Sequence, residues 1–266
     1  MTAPTDLVTQ CSFLGHSVGG GVVPKMLAAL HAVEAALKAQ YTAANPGVPF
    51  AEWCGITGVG GFREHGGPHT RGIAVDLDYT LNPYIATRTG QHFGGEFAGA
   101  GLVGVREAAV EACDRIVGGT ADLSCRKPGE STESVWDRLH LVSEGWKAYF
   151  SPWFNTDHAK VTRKPVPNWQ SCPAGDFAPM VASGELKVTD LTQVPVQVLR
   201  DYEAVRIPTV IGSPSKSPEV TRNPARGFLT HPKHLAVAMC KVGKMRWGAC
   251  DFGHSESGDI MHYDLA

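Results

Sequence analysis

The chain has 266 residues, 43% of them hydrophobic, which is enough to bury a hydrophobic core and excludes a disordered or fibrous protein. Its 24 Lys and Arg side chains nearly balance 26 Asp and Glu, for a formal net charge of -2 at pH 7. A charge so close to zero, with no long run of one sign, gives no indication of a nucleic-acid partner.

The N-terminal segment lacks a basic region followed by an apolar core and a small-residue cleavage site, so no signal peptide is predicted. The most apolar stretch, 22–41, is interrupted by Lys25, His31, Glu34 and Lys38, which excludes a membrane-spanning helix. We therefore expect a protein that is made in the cytoplasm and has no membrane span.

Seven cysteines lie at irregular spacings, and none belongs to a CxxC pair. A zinc site built from cysteines is therefore not expected. Disulfides formed after export and buried free thiols explain the number of cysteines equally well.

In chain order, a first amphipathic helix is predicted from Pro24 to Tyr41, because apolar residues recur there at steps of three and four. Pro24 suits a first-turn position, and Asn45-Pro46-Gly47 ends the helix. A strand is predicted over 53–59, and a loop with a second strand over 69–79.

The remaining elements are predicted from the same periodicities. Helices are expected over 101–117, 134–150, 196–204 and 233–240, and strands over 245–250 and 260–265. Ten of the 18 prolines fall between Pro152 and Pro224, which indicates an irregular stretch before the last elements.

Two candidate metal ligands lie in the segment 69–76, which has the pattern HxxGxAxD. Imidazole nitrogen and carboxylate oxygen both suit Zn²⁺, so His69 and Asp76 could bind it together. Gly72 would allow a tight turn between them, and Ala74 would leave room beneath the metal.

A third ligand is predicted near the C-terminus, where His262 lies in a short apolar strand and Asp259 precedes it by three residues. An acid so placed can take a proton from an attacking water and deliver it to a leaving amine, as metal-assisted hydrolysis requires. Glu256 is an alternative base, but its six-residue distance from His262 fits this arrangement poorly.

HxxGxAxD followed by acid-x-x-His resembles the zinc D-Ala-D-Ala carboxypeptidase family, which includes VanY-type enzymes and phage L-alanyl-D-glutamate endopeptidases. The resemblance implies that His69, Asp76 and His262 bind zinc and that Asp259 is the catalytic acid-base residue. It also implies a substrate-binding arginine in an SGYR-like motif, for which Gly60-Gly61-Phe62-Arg63 supplies Arg63.

The segment 246–253 is similar to the family's WGGDF-type stretch, whereas Gly67 stands where the family usually has serine. The predicted peptidase domain has two halves, 1–84 and 225–266, separated by an insertion over 85–224. The expected fold is α+β, with a small antiparallel sheet bearing the zinc site, flanking helices, and a mostly helical, proline-rich insertion.

Other polar residues have plainer interpretations. His231 and His234 could form a rival metal pair, but Pro232 between them disturbs helical spacing, so surface histidines are expected. His65 and His254 are expected in surface or supporting positions. Arg63 could instead pair with Glu52 or Glu64, and Trp247 is expected in the core.

The sequence thus predicts a zinc metallopeptidase that hydrolyses stem peptides or cross-links of peptidoglycan, as carboxypeptidase or endopeptidase. It would act in the periplasm or cell wall of a target cell, as a lysin or an injected antibacterial effector with a delivery or immunity protein as partner. The alternative is a non-catalytic, zinc-stabilised cell-wall or protein-binding module. Asp259 argues against it, because a structural site has no use for such an acid.

Overall fold

The computed structural model describes residues 3–64, 67–82, 111–112, 114–116, 126–162, 174–206, 220–252 and 258–266. The strands of this part of the chain are β1 (Ser12–Phe13), β2 (His16–Gly19), β3 (Val59–Gly60), β4 (Ala74–Leu77), β5 (Lys160–Thr162), β6 (Val220–Arg222), β7 (Met245–Trp247) and β8 (His262–Leu265). Its α-helices are α1 (Pro24–Ala44), α2 (Phe50–Cys54), α3 (Thr132–Phe150), α4 (Ala178–Ala182), α5 (Val196–Arg206) and α6 (Lys233–Lys241). The predicted α+β class is confirmed.

The main sheet has six strands in the order β1-β2-β3-β4-β8-β7, and β5 pairs with β6 in a separate antiparallel pair. The prediction of an antiparallel sheet is wrong at one position, because β2 and β3 run parallel. Helices α1 and α2 lie between these two strands and return the chain to the same end of the sheet, as a parallel connection requires. All other neighbouring strands in the sheet are antiparallel.

The strand predicted over 53–59 is wrong for every residue but the last. Helix α2 occupies Phe50–Cys54, Gly55 caps it in the left-handed region with φ of 65°, and only Val59–Gly60 are extended into a paired strand. Phe50 and Trp53 pack with Tyr41 in edge contacts, so tertiary packing fixes a helix too short to show periodicity.

The first predicted helix is confirmed. Helix α1 has Pro24 in its first turn and ends at Asn45 in the left-handed region. Of the five apolar residues that recur at steps of three and four, Tyr41 is partly buried and the other four are buried (Met26, Leu30, Val33 and Leu37). The Glu34–Lys38 ion pair forms at 2.6 Å. The helices predicted over 134–150, 196–204 and 233–240 correspond to α3, α5 and α6, whereas the last two strands are shorter than predicted.

The described part of the predicted insertion packs into the same core as residues of segments 1–84 and 225–266. Helix α3 contacts α6, and the Ser143 hydroxyl of α3 accepts hydrogen bonds from the backbone N–H groups of Phe228 and Leu229 at 2.8 and 3.0 Å. Of the helix predicted over 101–117, only 111–112 and 114–116 are described, and these residues are helical. Trp146 of α3 and Tyr202 of α5 are buried in the same core.

Four cysteines are described, and all are free thiols (Cys11, Cys54, Cys240 and Cys250). The other three, at positions 113, 125 and 172, lie outside the described residues. Among the described helices, none is long and apolar enough to cross a membrane.

The expectation of a surface histidine is wrong for His231, which is fully buried. Its ring packs against Trp247 and Tyr263, and His231 Nε2 and the Tyr263 hydroxyl are hydrogen-bonded at 3.0 Å. Trp247 is fully buried as well, as predicted. His234 is half-buried and stacks on Trp53 with ring centroids 3.7 Å apart.

The burial of His231 predicts a loss of stability in acid. Burial lowers the pKa of His231 to about 3, whereas an unfolded chain has an ordinary histidine pKa of about 6.5. Between these pH values His231 binds a proton only in the unfolded chain. The free energy of unfolding therefore decreases as pH falls from about 6.5 to about 3. His231→Gln cannot titrate, but its amide can still form a hydrogen bond with Tyr263. Urea unfolding at about pH 7 and about pH 4.5 should show a smaller acid loss in the variant, and equal losses would contradict this.

Candidate metal centre

Two of the three predicted ligands lie on the central strand pair. Asp76 of β4 and His262 of β8 are direct partners in the antiparallel register, so their side chains extend from the same face of the sheet. Both side chains are about 95% buried. This register explains why an aspartate and a histidine far apart in sequence meet in space.

His69 reaches the same point from the 3₁₀ turn Gly67–Arg71, which precedes β4. Gly72 has a φ of 66°, and a Cβ there would lie 2.9 Å from a Leu7 methyl group, so the predicted tight turn requires glycine. His69 Nδ1 lies 2.7 Å from the Gly61 carbonyl oxygen. Because a carbonyl only accepts hydrogen bonds, Nδ1 carries a hydrogen, and the neutral ring would have its Nε2 lone pair available for a metal.

The three ligand atoms converge closely. His69 Nε2 lies 3.0 Å from Asp76 Oδ1 and 3.0 Å from His262 Nδ1, and His262 Nδ1 lies 3.1 Å from Asp76 Oδ1. Tetrahedral zinc with bonds of about 2.0–2.2 Å holds its ligand atoms about 3.3–3.6 Å apart, a few tenths of an ångström more than these separations. One divalent cation placed between these atoms would bind all three of them. His69, Asp76 and His262 could therefore hold a metal ion.

Electrostatics favour the anionic carboxylate that a metal requires. Burial raises the pKa of Asp76, but hydrogen bonds with His262 and His69 outweigh burial and hold that pKa well below its usual range. Arg63 adds a further charge-assisted bond, because its Nη2 donates to Asp76 Oδ2 at 2.6 Å. Oδ1 faces the histidines while Oδ2 binds the arginine, so both carboxylate oxygens are oriented.

Arg63 therefore lies beside the centre, and its described ion pair is with Asp76 rather than with Glu52 or Glu64. Its side chain is 52% exposed. A guanidinium has five N–H donors, so binding Asp76 with one nitrogen leaves others directed toward solvent at the edge of the site. Arg63 thus both orients Asp76 and remains a candidate substrate contact.

Asp259 lies in a tight turn before β8, where its carbonyl accepts from the His262 N–H at 3.3 Å. Its Oδ1 is buried and, within the described part of the chain, has no hydrogen-bond partner. Burial raises the pKa of Asp259; the positive charges of His262 and Arg222 oppose that rise, and Asp76 adds to it. A buried, unpartnered carboxylate oxygen with a raised pKa suits an acid-base residue.

Gly248 allows this turn to approach β7. A Cβ at position 248 would lie 2.7 Å from the Asp259 carbonyl oxygen and 3.0 Å from the Cβ atoms of both Asp259 and His262. The Gly248 carbonyl accepts from the Asp259 N–H at 3.1 Å. The segment noted for its WGGDF-like sequence thus supports the turn that carries Asp259 and His262. Phe252 of the same segment packs edge-on against the His262 ring.

Sequence reasoning missed Arg222 as well as the Gly61 carbonyl and Gly248. Arg222 comes from β6, is 6% exposed, and interacts electrostatically with Asp259 and Asp76. No spacing pattern connects an arginine in the predicted insertion with the two motifs, so the sequence carried no signal for it. His65, His254 and Glu256 lie outside the described residues.

No protein-family model matches this chain, and comparisons with curated proteins and with solved structures found no match. The resemblance to zinc D-Ala-D-Ala peptidases therefore rests on the motif residues alone and stays a prediction. The arrangement of His69, Asp76, His262 and Asp259 is accordingly the main basis for a functional proposal.

Proposed function

We propose that the protein is a metal-dependent peptidase, with zinc as its metal, that cleaves the stem peptides or cross-links of peptidoglycan. The observation that carries the proposal is the buried Asp259 Oδ1, without a described partner, in the turn that leads to His262. The two His and one Asp fit a catalytic zinc site, in which three protein ligands leave a position for water or substrate.

Each residue has a role in hydrolysis. When bound, zinc supplies Lewis acidity that polarises a carbonyl group and makes water more acidic. Asp259 takes the proton of the attacking water and returns it to the nitrogen of the leaving amine, so it starts and ends the reaction as a carboxylate. His69 is held by the Gly61 carbonyl, and Arg63 orients Asp76 and can donate to a substrate carboxylate or carbonyl.

Peptidoglycan is proposed as the substrate because of the motif resemblance. With this substrate, the reaction would take place in the periplasm or cell wall of a target cell. Digestion of purified muropeptides followed by mass spectrometry tests the proposal, since the released fragments identify the bond and separate carboxypeptidase from endopeptidase. Metal analysis should find about one zinc per chain. If neither zinc nor added cobalt yields any cleaved muropeptide, the proposal fails.

Arg63→Ala should weaken substrate use without removing the metal. The arginine binds the Asp76 oxygen that faces away from the histidines, so its loss leaves all three ligand atoms in place. Loss of one charge-assisted hydrogen bond between Arg63 and the substrate, worth about 1.5–3 kcal/mol, should raise KM or lower kcat/KM by roughly 10- to 100-fold. Steady-state kinetics and zinc content measure both quantities. Arg71→Ala is the control, because Arg71 is an exposed arginine on the neighbouring turn, and it should change neither the kinetics nor the zinc content. Unchanged kinetics in Arg63→Ala would exclude a substrate role for Arg63.

A further inference from the structure

Arg222 is a buried guanidinium beside the metal centre, contributed by a strand outside the six-stranded sheet. Strand β6 pairs with β5, with Lys160 opposite Arg222. The residue is only 6% exposed. Burial of an arginine is strongly unfavourable unless its charge and N–H groups are compensated, so its partners account for its position.

The partners of Arg222 lie on both ligand-bearing strands. Its Nε donates to the Tyr79 carbonyl, three residues after the ligand Asp76, and its Nη2 lies 3.8 Å from Met261 Sδ, immediately before the ligand His262. A backbone hydrogen bond from the Leu77 N–H to the Met261 carbonyl, 2.9 Å long, joins the same two segments. One side chain therefore spans the ends of β4 and β8 next to both ligands.

Charge favours the same position. The Asp76 and Asp259 carboxylates repel each other electrostatically, and both attract the Arg222 guanidinium. Burial lowers the pKa of Arg222 to about 10, and the negative charges of Asp259 and Asp76 oppose that lowering, so the guanidinium stays charged at neutral pH. Arg63 is the more exposed of the two arginines and pairs with Asp76, so Arg222 is the buried cation on the side of the Asp259 turn.

We propose that Arg222 is a positioning residue of the metal centre, which holds the turn of Asp259 and His262 in register with the strand of Asp76. The inference rests on the proposed metal site and extends it, because it gives the segment 85–224 a part in building that site. The β5–β6 pair then supplies the guanidinium that aligns a ligand and the acid-base residue.

Cobalt substitution tests this independently of peptide hydrolysis, because the visible spectrum of bound Co²⁺ reports the geometry of its ligands. Arg222→Met keeps the length and burial of the side chain but removes the charge and the N–H donors, whereas Arg222→Lys keeps the charge with one donor group. We expect Arg222→Met to bind about one Co²⁺ per chain with shifted, weaker bands, and Arg222→Lys to give an intermediate spectrum. On muropeptides, kcat should fall by about 10- to 100-fold in Arg222→Met with little change in KM. A displacement of Asp259 or His262 by about 1 Å can reduce the rate by such a factor.

Asn223→Ala is the matched control. Asn223 follows Arg222 and is equally buried, and its amide donates to the carbonyls of Asn155 and His158 at 2.8 Å without reaching the centre. It should lower the melting temperature yet leave the cobalt spectrum unchanged. A cobalt spectrum of Arg222→Met identical to wild type, or a wild-type chain that binds no cobalt, would overturn the proposal. Inactivity of the wild type as well as of every variant on muropeptides would instead refute the proposed substrate, while the cobalt spectra still decide the role of Arg222.

Discussion

His262→Ala is expected to lose metal binding and hydrolysis together. His262 Nδ1 lies within 3.1 Å of both other ligand atoms, and no other described His, Cys, Asp or Glu joins the cluster to replace it. Removal of an outer hydrogen-bond partner of a metal ligand costs about 10- to 100-fold in affinity, and loss of a direct ligand should exceed that. Metal binding is coupled to folding, so the variant should also lose the stabilisation that zinc gives the wild type.

Three measurements on His262→Ala separate these effects: zinc per chain after dialysis, the melting temperature with and without added zinc, and cleavage of muropeptides. His234→Ala is the control, because this half-buried histidine stacks on Trp53 and contributes nothing to the cluster. It should retain wild-type zinc content. Retention of tightly bound zinc by His262→Ala would show that the zinc is bound at another site.

The three predicted ligands could be found from the sequence because each lies in a short local pattern. Asp76 and His262 occupy apolar strands, and strand periodicity places their side chains on one face once the strands pair. The turn at Gly72 requires a residue tolerant of positive φ, which the motif supplies. Local chemistry therefore identifies a cluster whose members the fold brings within hydrogen-bond distance.

Interactions set by tertiary packing are not predictable in this way. Helix α2 replaces part of a predicted strand, since five residues show no periodicity and aromatic packing on Tyr41 decides their conformation. Pro232 after His231 led to the expectation of surface histidines, yet the His231 ring packs against Trp247 and Tyr263. The parallel β2–β3 pair depends on the long connection through α1 and α2, which a strand pattern alone does not reveal.

The contact of Arg222 with the candidate metal centre was likewise not predictable from the sequence. Its interaction with the centre depends on where the β5–β6 pair lies against the ends of β4 and β8, and nothing in the neighbouring residues Thr221 and Asn223 indicates that placement. The pairing of Arg63 with Asp76 is missed for a related reason. Sequence proximity favours Glu52 and Glu64, whereas the turn after β3 brings the guanidinium to Asp76 Oδ2.

Asp259→Asn is expected to keep the fold and the metal but to lose most hydrolysis. The amide has nearly the size of the carboxylate, and Asp259 is not one of the three clustered ligands. The backbone contacts of its turn, from the Asp259 N–H to the Gly248 carbonyl and from the His262 N–H to the Asp259 carbonyl, do not involve the side chain. An amide cannot take the proton of the attacking water at neutral pH, so kcat should fall by about 10²- to 10⁴-fold.

Asp78→Asn is the matched control for this loss. Asp78 is also a buried carboxylate with one oxygen that lacks a described partner, but its other oxygen accepts from the N–H and hydroxyl of Thr57, which an asparagine oxygen can still do. It should retain wild-type kcat, and Asp259→Glu should recover part of the activity because it restores a carboxylate. Zinc content and kcat are measured for all three variants. Full zinc with near-normal turnover in Asp259→Asn would show that another group is the base, and Glu256→Gln would then be the variant that loses activity.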